Sequence, residues 1–259
     1  MTDAGQAGNA STPREIGVTE IFRCARVLFV ENWRRSLIVW VMLGIVEALD
    51  AYLNVVIAGH LFELMAYTAG YLAVVIFLSG MAIRALIGSL ETVWILDRAF
   101  WEYAKACAIL ALPFFLANIL LLAFVRLASY ASTNVFLATD VIWVLGYAAL
   151  FILVGLRGML WPIGQLLGDA ESTFGQSALR MQGILASTFW AIIVAGIAIG
   201  GPEFAINAVM GRFLAGSSVQ DLLQTISSCA FGLARDIIGT LINASVFIIV
   251  SLRDRGEPA

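Results

Sequence analysis

Long apolar runs, set apart by short polar and charged breaks, dominate the pattern along this chain. A helix crossing the hydrocarbon core of a bilayer needs roughly 20 mostly apolar residues. Six stretches meet that length: about 37–59, 64–86, 106–126, 140–160, 184–201 and 228–252. Each run is continuous rather than alternating, which predicts helices and excludes the short dyad pattern of a membrane β-barrel. The expected fold is an all-α polytopic transmembrane helix bundle. A single transmembrane domain over 17–253 lies between polar tails at 1–16 and 254–259.

Lys and Arg in the flanks set the expected orientation. Arg14, Arg23, Arg26, Arg34, Arg35, Arg84, Arg98, Lys105, Arg157, Arg180, Arg253 and Arg255 fall on one side, and only Arg126 and Arg212 on the other, with Arg235 inside the sixth run. Both termini are therefore expected in the cytoplasm.

Three cytoplasmic connections carry helical periodicity of their own. Residues 18–33 align Val18, Ile21, Phe22, Ala25, Leu28 and Phe29, with Thr19 as a starting cap. Residues 90–104 align Leu90, Val93, Trp94 and Trp101, and 170–182 align Phe174, Ala178 and Met181. They read as amphipathic helices in the inner headgroup layer, or as the ends of longer helices. They suggest a threefold plan of interfacial helix, span and span over 18–88, 90–160 and 170–252. On the outer side, 60–63 reads as a tight hairpin and 127–139 as a polar loop. The 202–227 segment reads as a longer loop with a short helix at 203–210, the fifth run closing at Gly200-Gly201-Pro202.

Composition sharpens this picture. Of the 259 residues 61% are hydrophobic and 13% charged, against about 25% charged in soluble domains. The polar surface is too small to coat a water-soluble globule, so lipid is the expected partner. A net charge of -3 argues against nucleic acid. Cys24, Cys107 and Cys229 are dispersed and show no disulfide or zinc spacing. Residues 1–17 lack an apolar core, so the first run reads as a retained anchor rather than a removed leader.

Ionisable groups within spans are the place to look for chemistry, because lipid penalises them. Glu47, Asp50 and Asn54 recur at i, i+3 and i+7 and share one helix face. Counted from Arg35, they sit about 18, 22 and 28 Å along the helix. In the sixth run Arg235 and Asp236 lie at comparable depth, with Asn243 deeper. Arg235 is expected to face inward and pair with Asp50 or Glu47, as a substrate or ion site or as a structural clamp. His60, with Glu63 nearby, reads as a loop residue, since metal sites need three or four ligands. Glu203 and Asp140 read as solvated helix ends. Asn118 is expected to hydrogen-bond across helices, and Pro113 to bend the third run. Ala191, Ala195, Gly196 and Gly200, with Ala230 and Ala234, offer small-residue packing faces. No GxSxG, HExxH or phosphate-loop motif occurs, so no enzymatic role, cofactor or metal is expected.

The stretch Arg157-Gly-Met-Leu-Trp-Pro162, then Glu171-Ser-Thr-Phe174, Ala178-Leu-Arg180-Met-Gln-Gly183 and Phe189-Trp190 resembles bacterial six-span proteins of the YciC-like type. It is similar to the membrane domain attached to some glycerophosphodiester phosphodiesterases. Gln176, Ser177 and Ala178 stand where that helix often carries an aromatic residue. The resemblance implies a bacterial inner-membrane protein without a phosphodiesterase domain. Two functions stay open: a non-enzymatic scaffold, lipid-interacting or accessory component with an unidentified protein partner, and a small secondary transporter using Glu47, Asp50 and Arg235.

Overall fold

The computed structural model describes residues 16–57, 61–88, 90–128, 143, 145–169, 171–213 and 218–257. The expected tail at 1–15, His60 and the polar loop with Asp140 lie outside these residues, as do the side chains of Asn54 and Glu63. Among the described residues the chain is all-α. Its helices are α1 Val18–Ile57, α2 Leu61–Ile87, α3 Arg98–Ala128, α4 Leu145–Leu166, α5 Phe174–Arg180, α6 Leu185–Phe213 and α7 Ser218–Asp254.

Five helical stretches are long and apolar enough to cross a membrane: Ala66–Ile87, Arg98–Leu121, Leu145–Leu166, Leu185–Phe213 and Leu222–Asp254. The chain is a multi-pass helical membrane protein. The sixth expected span lies in α1, which is helical over that range. Its side chains are described only as far as Asp50, and at Leu53.

α1 absorbs both the expected helix at 18–33 and the first span in 40 residues, and it bends on the way. Phe29 stacks on Trp40 with ring centroids 5.6 Å apart. A straight helix would separate these residues by about 16 Å along its axis. The Asn32 side chain donates to the Leu28 carbonyl at 3.2 Å, and a polar side chain competing for the helical ladder is a recognised cause of bending. The expected helix at 90–104 is replaced by a 3-10 turn, Leu90–Thr92, and the first turns of α3. A threefold repeat therefore lacks its middle interfacial helix. α6 runs unbroken through Pro202 to Phe213, so the expected stop at Gly200-Gly201-Pro202 and the separate helix at 203–210 do not occur. Pro202 removes a single N–H donor, and the flanking turns carry the helix onward.

Packing is concentrated at one end of the bundle. In α1 the last buried described side chain is Leu43, and in α2 the first is Leu78. In α3 burial ends at Ala106, and in α4 it begins at Leu156. Ile16 and Ile21 join Ile249 and Val250 in one cluster, so the two ends of the described chain meet at this packed end. Arg253 ties them further, donating to the carbonyls of Arg180 and Gln182 at 2.7 and 3.2 Å. At the opposite end Met210 and Ser227 are among the described residues that are buried.

A hydroxyl repairs an irregular span. α4 contains a π turn over Phe151–Leu156, and the helix restarts at Leu160. Helix starts leave N–H groups unpaired. Ser177 of α5, 1% exposed, accepts from the Leu160 N–H at 3.2 Å and donates to the Arg157 carbonyl at 2.6 Å. Ser177→Ala leaves both groups buried without partners. It should cost about 1–3 kcal/mol, read as a lower midpoint in thermal unfolding of the detergent-solubilised protein.

Candidate functional site

The seams that are apolar at the packed end turn polar towards the other end. On α1 the buried line Ser36, Val39, Trp40 and Leu43 continues into Glu47 and Asp50. On α2 the line Leu78, Ala82, Ala85 and Leu86 is preceded by Tyr67 and Tyr71. The helices run antiparallel, so these residues meet. The Tyr71 phenol donates to Glu47 Oε1 at 2.5 Å, and the Tyr67 phenol to Asp50 Oδ1 at 2.8 Å. The two tyrosine rings lie 6.4 Å apart.

α7 closes the third side. Asp236 comes within hydrogen-bonding reach of Glu47, and its Oδ2 is buried without a partner. Two carboxylates this close repel one another unless a proton or a cation lies between them. Gly232, one turn away, makes the approach feasible: a Cβ there would collide with the Glu47 carboxylate. Cys229 Sγ lies 3.8 Å from the Glu47 backbone carbonyl.

The expected role of Arg235 is overturned. Its side chain is 56% exposed and pairs with Glu203 of α6 at 3.2 Å, while Nε donates to its own helix at Phe231 O. Residues 235 and 236 point about 100° apart around a helix, so only one can face α1, and Asp236 takes that place. Glu203 is correspondingly an ion-pair partner rather than a solvated helix end. Among the described residues no basic side chain is within ion-pairing distance of Glu47, Asp50 or Asp236. Nor does any group of three metal-ligating side chains converge there.

Two other polar contacts bear on the reading. Asn118 donates to the Tyr147 hydroxyl at 2.8 Å, bonding α3 to α4 as its place in the third run predicted. Arg84, 3% exposed, donates to Asp97 at 2.6 Å and to the carbonyls of Thr92 and Ile95 at 3.0 and 2.5 Å. Its guanidinium also lies over the Phe100 ring, 5.4 Å from the centroid. Asp97 in turn accepts from the Phe100 N–H and caps α3. Burial pushes the Asp97 carboxyl up, but the Arg84 hydrogen bond, the backbone N–H of Phe100 and the Arg84 charge together outweigh it and hold the group below its ordinary value. Sequence reasoning treated Arg84 only as a topology marker. Its distance from Asp97 in the chain hides the pair.

No family model, curated protein or solved structure matches the chain.

Proposed function

We propose that this protein is a non-enzymatic membrane component that binds and releases protons at Glu47, Asp50 and Asp236, in the manner of a small secondary transporter. The observation that carries the reading is three carboxylates, two of them accepting from phenols, with no basic side chain paired to them among the described residues. Carboxylates in a low-dielectric site without a fixed countercharge stay occupied by protons or by an arriving cation. Glu47 and Asp236 lie within reach of each other. All five side chains are partly exposed. Charged groups do not face hydrocarbon when an alternative exists, which favours a hydrated opening between α1, α2 and α7. Arg235 takes no part in this reading.

In the same proposal the packed end, where basic residues gather, faces the cytoplasm of a bacterial inner membrane, with both termini there. The six-span, YciC-like affinity suggested by 157–192 fits this placement.

The test is reconstitution into liposomes with an imposed pH gradient, and uptake of a panel of organic cations and neutral solutes. Gradient-driven accumulation of at least one solute, lost in Glu47→Gln and in Asp50→Asn, is the expected result. Infrared difference spectra should also show a carboxyl band that changes on solute addition and is absent in Glu47→Gln. Unchanged fluxes in both variants, with the same carboxyl band in Glu47→Gln, would sink the proposal.

A scaffold or accessory role is the second reading. It is favoured by α3, whose Ile109, Leu112, Leu116 and Leu120 are all exposed on the monomer. A protein partner recovered by crosslinking through these positions in native membranes would support it.

A further inference from the structure

We propose that the bent N-terminal arm of α1 is a binding surface for anionic phospholipid of the leaflet at the packed end. The arm, residues 18–31, buries Ile21, Ala25 and Leu28 against the bundle. Its opposite side presents Arg23, Arg26, Val27 and Val30, all exposed, within an arc of about 100°. Just past the bend come Trp33, Arg34, Arg35 and Leu37, exposed as well. The Arg34 guanidinium sits 5.5 Å from the Trp33 ring centroid.

The surface thus combines four cations with a run of apolar side chains. Neither water nor hydrocarbon alone suits both. An anionic lipid does, with its phosphate among the guanidiniums and its acyl chains on Val27, Val30, Trp33 and Leu37. Charge complementarity selects the anionic class. Arg84, Arg180, Arg235, Arg253 and Arg255 each meet a carboxylate. Among the described residues Arg23, Arg26, Arg34 and Arg35 meet none within ion-pairing distance. Glu31 is exposed nearby without pairing to them, so the patch stays net positive.

This inference is independent of the carboxylate cluster. Thermal unfolding of the full chain in neutral detergent, titrated with phosphatidylglycerol, phosphatidylcholine or inorganic phosphate, tests it. Phosphatidylglycerol should raise the midpoint saturably, and the other two should not. Roughly fivefold in affinity per arginine near a lipid surface predicts about thirtyfold weaker binding for Arg23→Gln/Arg26→Gln and for Arg34→Gln/Arg35→Gln. Arg255→Gln should bind as the parent does. All these side chains are exposed, so the variants should unfold at the parental midpoint when no lipid is added. A rise of equal size with phosphatidylcholine would reduce the surface to apolar contact. A rise with phosphate alone would mark a free-anion site. Undiminished phosphatidylglycerol binding in both double variants would reject the assignment outright.

Discussion

Arg84→Gln should destabilise the protein by about 3 kcal/mol, because breaking a buried pair leaves its other members stranded. Arg84 is 3% exposed, and its guanidinium serves two carbonyls, one carboxylate and one aromatic face. Glutamine reaches at most one of these. Asp97 is 41% exposed, so water screens its part of the loss and keeps the figure at the lower end of the range for buried pairs. Arg84→Lys should recover only a fraction, since a point charge cannot serve partners spread around a planar fork. The pH dependence has a definite sign. Asp97 is depressed in the folded state. Its contribution is complete above its unfolded value near pH 4 and drains away as the pH falls through the lower, folded one. Unfolding curves in mixed micelles at pH 7 and under acid conditions should show the parent losing this increment in acid, while Arg84→Gln, already without it, loses less.

Gly232→Ala should separate activity from stability. Alanine favours a helix over glycine by up to about 1 kcal/mol, so the midpoint of unfolding should stay level or rise. The new methyl group would occupy the space of the Glu47 carboxylate. Glu47 is a flexible side chain and will swing aside, which gives up its bond to Tyr71 and its approach to Asp236. Gradient-driven uptake, and the carboxyl infrared band that changes on solute addition, should fall at least tenfold in a protein that folds as well as the parent. Parental uptake in Gly232→Ala would show that the close approach of Glu47 to α7 is incidental.

Much of the bundle could be read from the chain because the bilayer leaves little choice of backbone. Uninterrupted apolar runs of this length must be helical, and their order followed, five of them being long and apolar enough to cross a membrane among the described residues. The i, i+3 spacing of Glu47 and Asp50 likewise placed two members of the cluster on one face. Tyr67 and Tyr71 escaped, since tyrosine within a span serves equally as an interface anchor and as a buried donor. A short connection between α1 and α2 implies that residues near 47 and 50 face residues near 71 and 67, but only if the hairpin register is known. Arg235 was misjudged for a rotational reason. It continues the stripe of Ile238, Ile242, Val246 and Ile249, part of the cluster shared with Ala191 and Ala195 of α6. Nothing in the sequence of α7 says which stripe meets α6 and which meets α1. The bend in α1 was equally hidden, because Asn32 favours it only once Phe29 and Trp40 have a common space to fill. The run through Pro202 shows the reverse error: proline and two glycines mark a stop in water, whereas in a span the surrounding turns hold the helix together.

The lopsided burial of the helices has a mechanical consequence. Among the described residues they are held most tightly near the chain termini. A lever held there turns a small change of angle at the root into a larger displacement beside Glu47 and Asp50, while the root, locked by Arg84 and Ser177, stays in place.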